Sequence, residues 1–451
     1  MKKVLILAYD FPPYVSVGGL RPYNWYKYFH EFDIFPIVIT RQWSNKHGNY
    51  LDYISEGDSN KEIIESVEHG IIIRAPYKPN FANRIMLKYG DTKYKFLRKI
   101  ISAYYEFAQF IFLTGPKSTI YSAANNYLEK NSVDAIIATG DPFILFSYAS
   151  RLSEKYKTPW IADYRDPWSQ NLNIQRNYFL KVWNTYFEKS ILKSSFSITT
   201  VSDFLQVKIS ELIKEKSFLI LPNGYDPELV ENVKSIKQQN DFLSIAFVGS
   251  IYDWHPLRSF LSVMSKFIKS NKEIKIRINF YGINLYGVTF NGDLNEIIKS
   301  EYPDLSNYIQ IHKKISNGQL LEELAKQNVM LLFNYYSYMG TKIFDYIGLK
   351  RSILFCYTDD IEANKLKSKY YDIEDIDNIS SHLQEDLIMA TNSGYLIKDS
   401  SQLFDKLEEL YIEFAQTGII KCNTINSEMY SRKHQVEQLA SLIKTISLQK
   451  N

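Results

Sequence analysis

The chain has 451 residues, a formal net charge of +3, 45% hydrophobic and 23% charged residues, and two cysteines. That length exceeds one ordinary core and suits two domains of about 200 residues each. The near-neutral charge gives no support for a nucleic-acid partner, and two cysteines exclude a disulfide framework or a thiolate metal cluster.

Met1-Lys2-Lys3 followed by the apolar run Val4 to Ala8 has the look of a short signal peptide. The run stops at Asp10, two prolines follow and no small-residue cleavage site is evident, so it reads as a first buried strand. Further strands are expected at Phe35–Thr40, Ala135–Ala138, Trp160–Ala162, Phe196–Val201 and Phe218–Leu221, with amphipathic stretches over Pro142–Tyr156 and Asn177–Leu192 among the segments between them. The alternation predicts a doubly wound parallel sheet. Turn residues crowd Pro222 to Pro227, and the polar segment Glu231 to Asp241 reads as a linker. Strands resume at Ser244–Val248, Lys275–Tyr281, Tyr308–His312, Val329–Phe333 and Ser352–Phe355. The expected fold class is therefore α/β, with two Rossmann-like doubly wound domains facing across a cleft. They span 1–225 and 226–426, with a last helix at about 427–448 crossing back to the first. No stretch of 18 apolar residues occurs, so no membrane-spanning helix is predicted and a cytoplasmic protein is expected.

In such sheets ligands bind outside the carboxyl ends of the strands. The first of these loops carries Gly18 and Gly19 at the start of a helix, where bare backbone admits an anion. The pattern is not GxGxxG, which disfavours a dinucleotide; a plain flexible loop is the other reading. Trp160 to Trp168 runs from a buried strand into Asp163, Arg165 and Asp166. Charges there are costly to bury unless paired or used, so they either hold sugar hydroxyls or form a structural pair. In the second half, Gly249 permits close backbone approach, Arg258 either reaches a phosphate or is a plain surface residue, and Gly340 with Thr341 suits a helix start. Lys342 near the positive end of that helix calls for an anion, and Asp345 about one turn on is placed to accept from ribose hydroxyls; a solvated Lys–Asp pair is the other reading. Asp375-Ile376-Asp377 lies in an acidic surface-like run, and the histidines lack metal-ligand spacing, so no metal is expected. Between Tyr77 and Lys117, basic and aromatic residues mix on an amphipathic pattern. It fits contact with an anionic membrane surface through about 88–113, or an ordinary helix facing the core.

FPPYVSVGGLRP, ADYRDPW, the FSITTVS and LPNGYD runs, and GTKIFDYIGLKRSIL together resemble the bacterial glycosyltransferases of family 4, in order and over nearly the whole chain. The resemblance implies the two-domain B-type glycosyltransferase fold. It also implies retaining, metal-independent transfer of a sugar from a nucleotide-diphosphate donor to a glycan or lipid-linked acceptor in capsule, O-antigen or related polysaccharide synthesis. Such an enzyme works in the cytoplasm, at the inner-membrane face. Carried onto this chain, the donor falls to Gly18, Gly19, Gly249, Arg258, Ser337, Lys342 and Asp345. Lys342 would neutralise the diphosphate and Asp345 would hold the ribose in place of the usual Glu. The catalytic loop falls on Asp163, Arg165 and Asp166, with Arg165-Asp166 where many members have His-Asp, and Arg21 is expected to meet the acceptor. Ser337 stands where many members carry a second Glu. A weakly catalytic nucleotide-sugar-binding or scaffold protein on the same fold remains a reading, as does a sugar-nucleotide epimerase.

Overall fold

The structure is a computed structural model that describes every residue except 15, 44–49, 172–176, 272, 287–292, 359–360, 370 and 449–451. The chain divides into two compact units, one of residues 1–222 with 433–451 and one of residues 223–432.

The first unit contains β1 (Lys2–Leu7), β2 (Ile34–Arg41), β3 (Ile63–Val67), β4 (Gly70–Ala75), β5 (Ala135–Gly140), β6 (Trp160–Tyr164), β7 (Ser197–Thr200) and β8 (Ser217–Ile220). They form one sheet in the order β3-β4-β2-β1-β5-β6-β7-β8, antiparallel only between β3 and β4. Alternate residues of β1 feed opposite layers, as the pleat requires. Leu5 and Leu7 pack with Ile144, Leu145 and Ala149 of the helix Ile144–Tyr156. Val4 and Ile6 pack with Trp25 and Phe29, and with Val436, Leu439 and Ile443 of the helix Arg432–Leu448. Both faces are covered, so the central strands read as unbroken apolar runs. The last helix starts later than expected, because Ser427–Tyr430 forms a separate 3-10 turn.

The second unit contains β9 (Leu243–Val248), β10 (Ile251–Tyr252), β11 (Ile276–Tyr281), β12 (Leu285–Tyr286), β13 (Ile309–His312), β14 (Val329–Phe333), β15 (Ser352–Cys356) and β16 (Gly394–Ile397). Six of them form a parallel sheet in the order β13-β11-β9-β14-β15-β16. The segment read as a linker is built structure. Asp226 caps the helix Pro227–Val233, and Gln238 and Gln239 each bond the buried Asn328 at 2.8 Å. Part of its polarity, the two glutamines, serves that buried amide.

Both sheets reverse their winding once, between β1 and β5 and between β9 and β14. Loops separate at such a reversal and leave a crevice at the carboxyl ends of the strands. The four loops that follow β1, β5, β9 and β14 are therefore where each unit can hold a ligand.

Candidate functional site

In the first unit, Asp163 lies at the carboxyl end of β6 with no solvent exposure. Arg21, from the helix Val17–Tyr28, donates to it through Nε and Nη2 at 2.8–3.1 Å. Thr139 and Thr199 donate to the same carboxylate at 2.8 and 2.6 Å, and Arg21 Nη1 donates to the Leu221 carbonyl at 2.8 Å. This buried pair ties β5, β6, β7, the first helix and the end of β8 together. Asp163, expected to be catalytic, and Arg21, expected to meet the acceptor, are thus brought together as a buried pair whose polar atoms also hold the fold.

Gly18 and Gly19, expected to approach the donor phosphates, also have a local structural role. The Gly18 N–H donates to the Ser16 hydroxyl at 3.0 Å and the Gly19 N–H to the Ser16 carbonyl at 3.2 Å, which closes the helix start on itself. A Cβ on Gly18 would stand 2.3 Å from Arg165 Nη1 and 2.9 Å from Asp10 Oδ2, so glycine here makes room for a guanidinium. Arg165 donates to the carbonyls of Gly140 and Asp141 at 2.5 and 2.8 Å, which holds it across the loop after β5. Asp10, Asp141 and Asp166 share its field. Burial raises the carboxyls of Asp10 and Asp166; Arg165 pulls both down and Asp141 pushes both up.

Beside this cluster lies a cavity of about 310 Å³. Tyr53, Phe110, Phe143 and Trp168 supply aromatic walls, and Glu106, Lys117 and Asp141 supply charge. Phe143 stacks on Trp168 with centroids 5.1 Å apart. Flat rings beside mixed donors and acceptors suit a sugar ring, which has both apolar faces and hydroxyl edges.

In the second unit, β9 ends at Gly249, whose φ of +105° favours glycine and whose missing Cβ would meet nothing within 4 Å. Gly340 is similarly open, its nearest neighbour being Gln384 Nε2 at 3.8 Å. Lys342 begins the helix Lys342–Gly348 and pairs with the buried Asp345 at 3.1 Å. Thr341 precedes it without a side-chain capping bond. Two expected donor contacts are engaged elsewhere. Arg258 makes a two-pronged pair with Glu301 at 2.8 and 2.9 Å, and the Ser337 hydroxyl donates to the Asp372 carbonyl at 2.6 Å. A larger cavity, of about 440 Å³, lies at the amino ends of β14 and β15, beside Ala325 and Arg351 and away from these loops.

Sequence reasoning missed a group behind the 334–341 loop. Lys367 is 1% exposed and its ammonium donates to the Asn334 carbonyl at 2.7 Å, with no carboxylate pairing to it among the described residues. It faces the rings of Tyr335, Tyr336 and Tyr371 at 4.9–5.7 Å. Burial pushes its amine well below the ordinary lysine range; burial and the Lys367 charge do the same to the adjacent His255. His255 Nε2, Asn334 Nδ2 and Gln384 Nε2 are buried without hydrogen-bond partners. Each orphaned donor costs roughly 1–3 kcal/mol, so three gathered from separate segments around one loop need a reason. The only sequence signal was position: Asn334 follows a buried strand directly.

No protein-family model matches the chain, and no curated protein matches it in sequence. Solved structures do match. Sucrose-phosphate synthase from Thermosynechococcus elongatus is 12% identical with a TM-score of 0.57, over 100% of this chain and 97% of that one. An alpha,alpha-trehalose 6-phosphate synthase from Burkholderia multivorans is 9% identical with a TM-score of 0.58, over the whole of both chains. Anabaena HepE, solved in complex with UDP and glucose, is 10% identical with a TM-score of 0.54, over 99% of this chain and 100% of that one. The chain has the B-type glycosyltransferase fold that its motifs imply, and at these identities the likeness carries the architecture alone.

Proposed function

We propose that this chain is a retaining glycosyltransferase. Its 223–432 unit holds a nucleotide-diphosphate sugar and its 1–222 unit holds the acceptor. The observation that carries this reading is the pair of open glycine positions, Gly249 and Gly340, at the winding reversal of the second sheet and beside the Lys342–Asp345 pair. Backbone without side chains admits a bulky diphosphate, Lys342 neutralises it and Asp345 accepts from ribose hydroxyls. The bond from the anomeric carbon to the phosphate oxygen breaks, and its electron pair leaves with the nucleotide. The acceptor oxygen bonds the same face, and its proton passes to the departing phosphate. Arg165 and Asp166 then orient the acceptor, beside the aromatic-walled cavity.

The acceptor in this reading is a lipid-linked glycan in polysaccharide synthesis, met at the cytoplasmic membrane face. The helix Lys95–Ala108 exposes Phe96, Leu97, Ile100 and Tyr104 among Lys95, Arg98 and Lys99, which suits an anionic bilayer surface. Glu106 and Phe110, at and just past its end, line the cavity. Among the described residues no helix is long and apolar enough to cross a membrane.

The test is a panel of UDP-, GDP- and ADP-sugars with lipid-linked glycans, free sugars and sugar phosphates. Acceptor-dependent nucleotide release with retained anomeric configuration is expected, unchanged by EDTA because Lys342 supplies the neutralising charge. Release or inversion of a sugar centre without acceptor would instead mark hydrolysis or an epimerase. A second reading, a nucleotide-sugar-binding protein with weak or no turnover, draws on Ser337 and Arg258 being bonded elsewhere. It predicts tight nucleotide binding and no product.

A further inference from the structure

We infer that Lys367, His255, Asn334 and Gln384 form an anion-binding layer behind the 334–341 loop, and that its ligand is the diphosphate of a nucleotide. The inference rests on the donor reading above and adds residues that no motif pointed to. The other three touch Asn334 or its neighbour Tyr335. Lys367 donates to the Asn334 carbonyl at 2.7 Å, and Gln384 Oε1 accepts from the Tyr335 N–H at 2.9 Å. The His255 ring meets the Tyr335 ring edge-on at 4.9 Å, and Asn334 Oδ1 accepts from the Tyr336 N–H at 2.8 Å.

Those bonds fix which atoms remain. Each amide spends its oxygen on a backbone N–H, so each is left with an NH₂ that donates to nothing. His255 Nδ1 accepts from the Tyr252 N–H at 3.4 Å, which places the ring proton on the unpartnered Nε2. The layer therefore offers an ammonium and three further donor groups with no matching acceptor. An anion that accepts from several of them at once suits such a set, and burial strengthens each bond it makes. Gln384 Nε2 lies 3.8 Å from the space a Gly340 Cβ would fill, which joins the layer to the open backbone of the loop. Tyr335 and Tyr371, which face Lys367, pack on the half-exposed Tyr338, the next ring outward.

The experiment is calorimetry of the whole chain with UDP, GDP and ADP, with the matching nucleosides, and with inorganic pyrophosphate. Lys367→Met keeps the length of the side chain and removes its charge. Gln384→Glu keeps the acceptor for Tyr335 and turns the orphaned donor into a repelling oxygen. Each is expected to weaken the bound nucleoside diphosphate and pyrophosphate at least tenfold while the nucleoside holds its affinity. Unchanged diphosphate affinity in Gln384→Glu, or in folded Lys367→Met, overturns the layer and leaves Lys367 a structural clamp with the donor reading intact. Pyrophosphate binding that is lost in the variants, with no nucleotide binding to the wild type, keeps the layer and removes the donor reading. No binding of any phosphate to the wild type overturns both.

Discussion

Asp163 and Arg21 lie 142 positions apart, and the sequence marks both as polar residues at element ends without revealing that they meet. Their pairing is a tertiary fact, which is why a catalytic role was expected for Asp163 and an acceptor contact for Arg21. Removing one partner of a buried pair strands the other, at about 3–5 kcal/mol. Asp163→Asn should therefore lower the urea stability of the first unit by that much and leave nucleotide affinity unchanged; a stable variant with abolished turnover would restore Asp163 to the chemistry. Gly18 was legible as a position needing glycine, but the cause, Arg165 at 2.3 Å from its absent Cβ, was not. Asp10 and Asp166 carry a pH signature. Burial raises both carboxyls, so the folded state binds protons there more readily than the unfolded state does. Their contribution to stability should be fully present below about 4, the ordinary aspartate value, and be lost as pH rises through the raised folded values. Melting curves across that range should show a shallower fall in Asp10→Asn; an identical fall would mean that Asp10 titrates normally.

At the scale of elements, strands buried on both faces were the most legible, because β1, β5, β9 and β14 admit no polar alternation. The β3–β4 hairpin and β16 were not read. β3 is an edge strand whose Glu65 and Ser66 face solvent, and β16 has only four residues, beginning at Gly394. The helix Arg432–Leu448 was anticipated because its apolar positions repeat at helical spacing, and its buried Leu439 now locates the load it carries. Leu439→Ala should cost about 2–5 kcal/mol in chemical unfolding of the first unit; a change near zero would mean that the helix is a detachable appendage. The helix Tyr178–Leu192 adds an outward stripe of Tyr178, Val182 and Tyr186 that the sequence reading passed over. It packs on the Lys95–Ala108 helix through Phe107 and Trp183, 5.5 Å apart. If the pair docks on membranes, Phe96→Ser with Tyr178→Ser should abolish sedimentation with anionic vesicles and spare neutral ones as a baseline. Equal sedimentation of variant and wild type would remove the membrane contact.

At the scale of the molecule, two separate cores imply that a ligand of one unit stabilises that unit first. A nucleotide at a hundredfold excess over its dissociation constant adds about 2.7 kcal/mol to the state it binds. The account places that gain in the 223–432 core, where β9 and β14 part. The architecture followed from alternating strands and helices, and the proposed donor loop was marked in the sequence by Gly340, Lys342 and Asp345. The Lys367 layer required the fold, since segments near residues 255, 334, 367 and 384 converge only in three dimensions. The most direct test of the central claim is calorimetric titration with UDP, GDP, ADP and their sugar conjugates, alongside Lys342→Ala. The account predicts that one nucleotide class binds tightly and loses at least tenfold, about 1.4 kcal/mol, in the variant. A wild-type protein that binds none of them would contradict it.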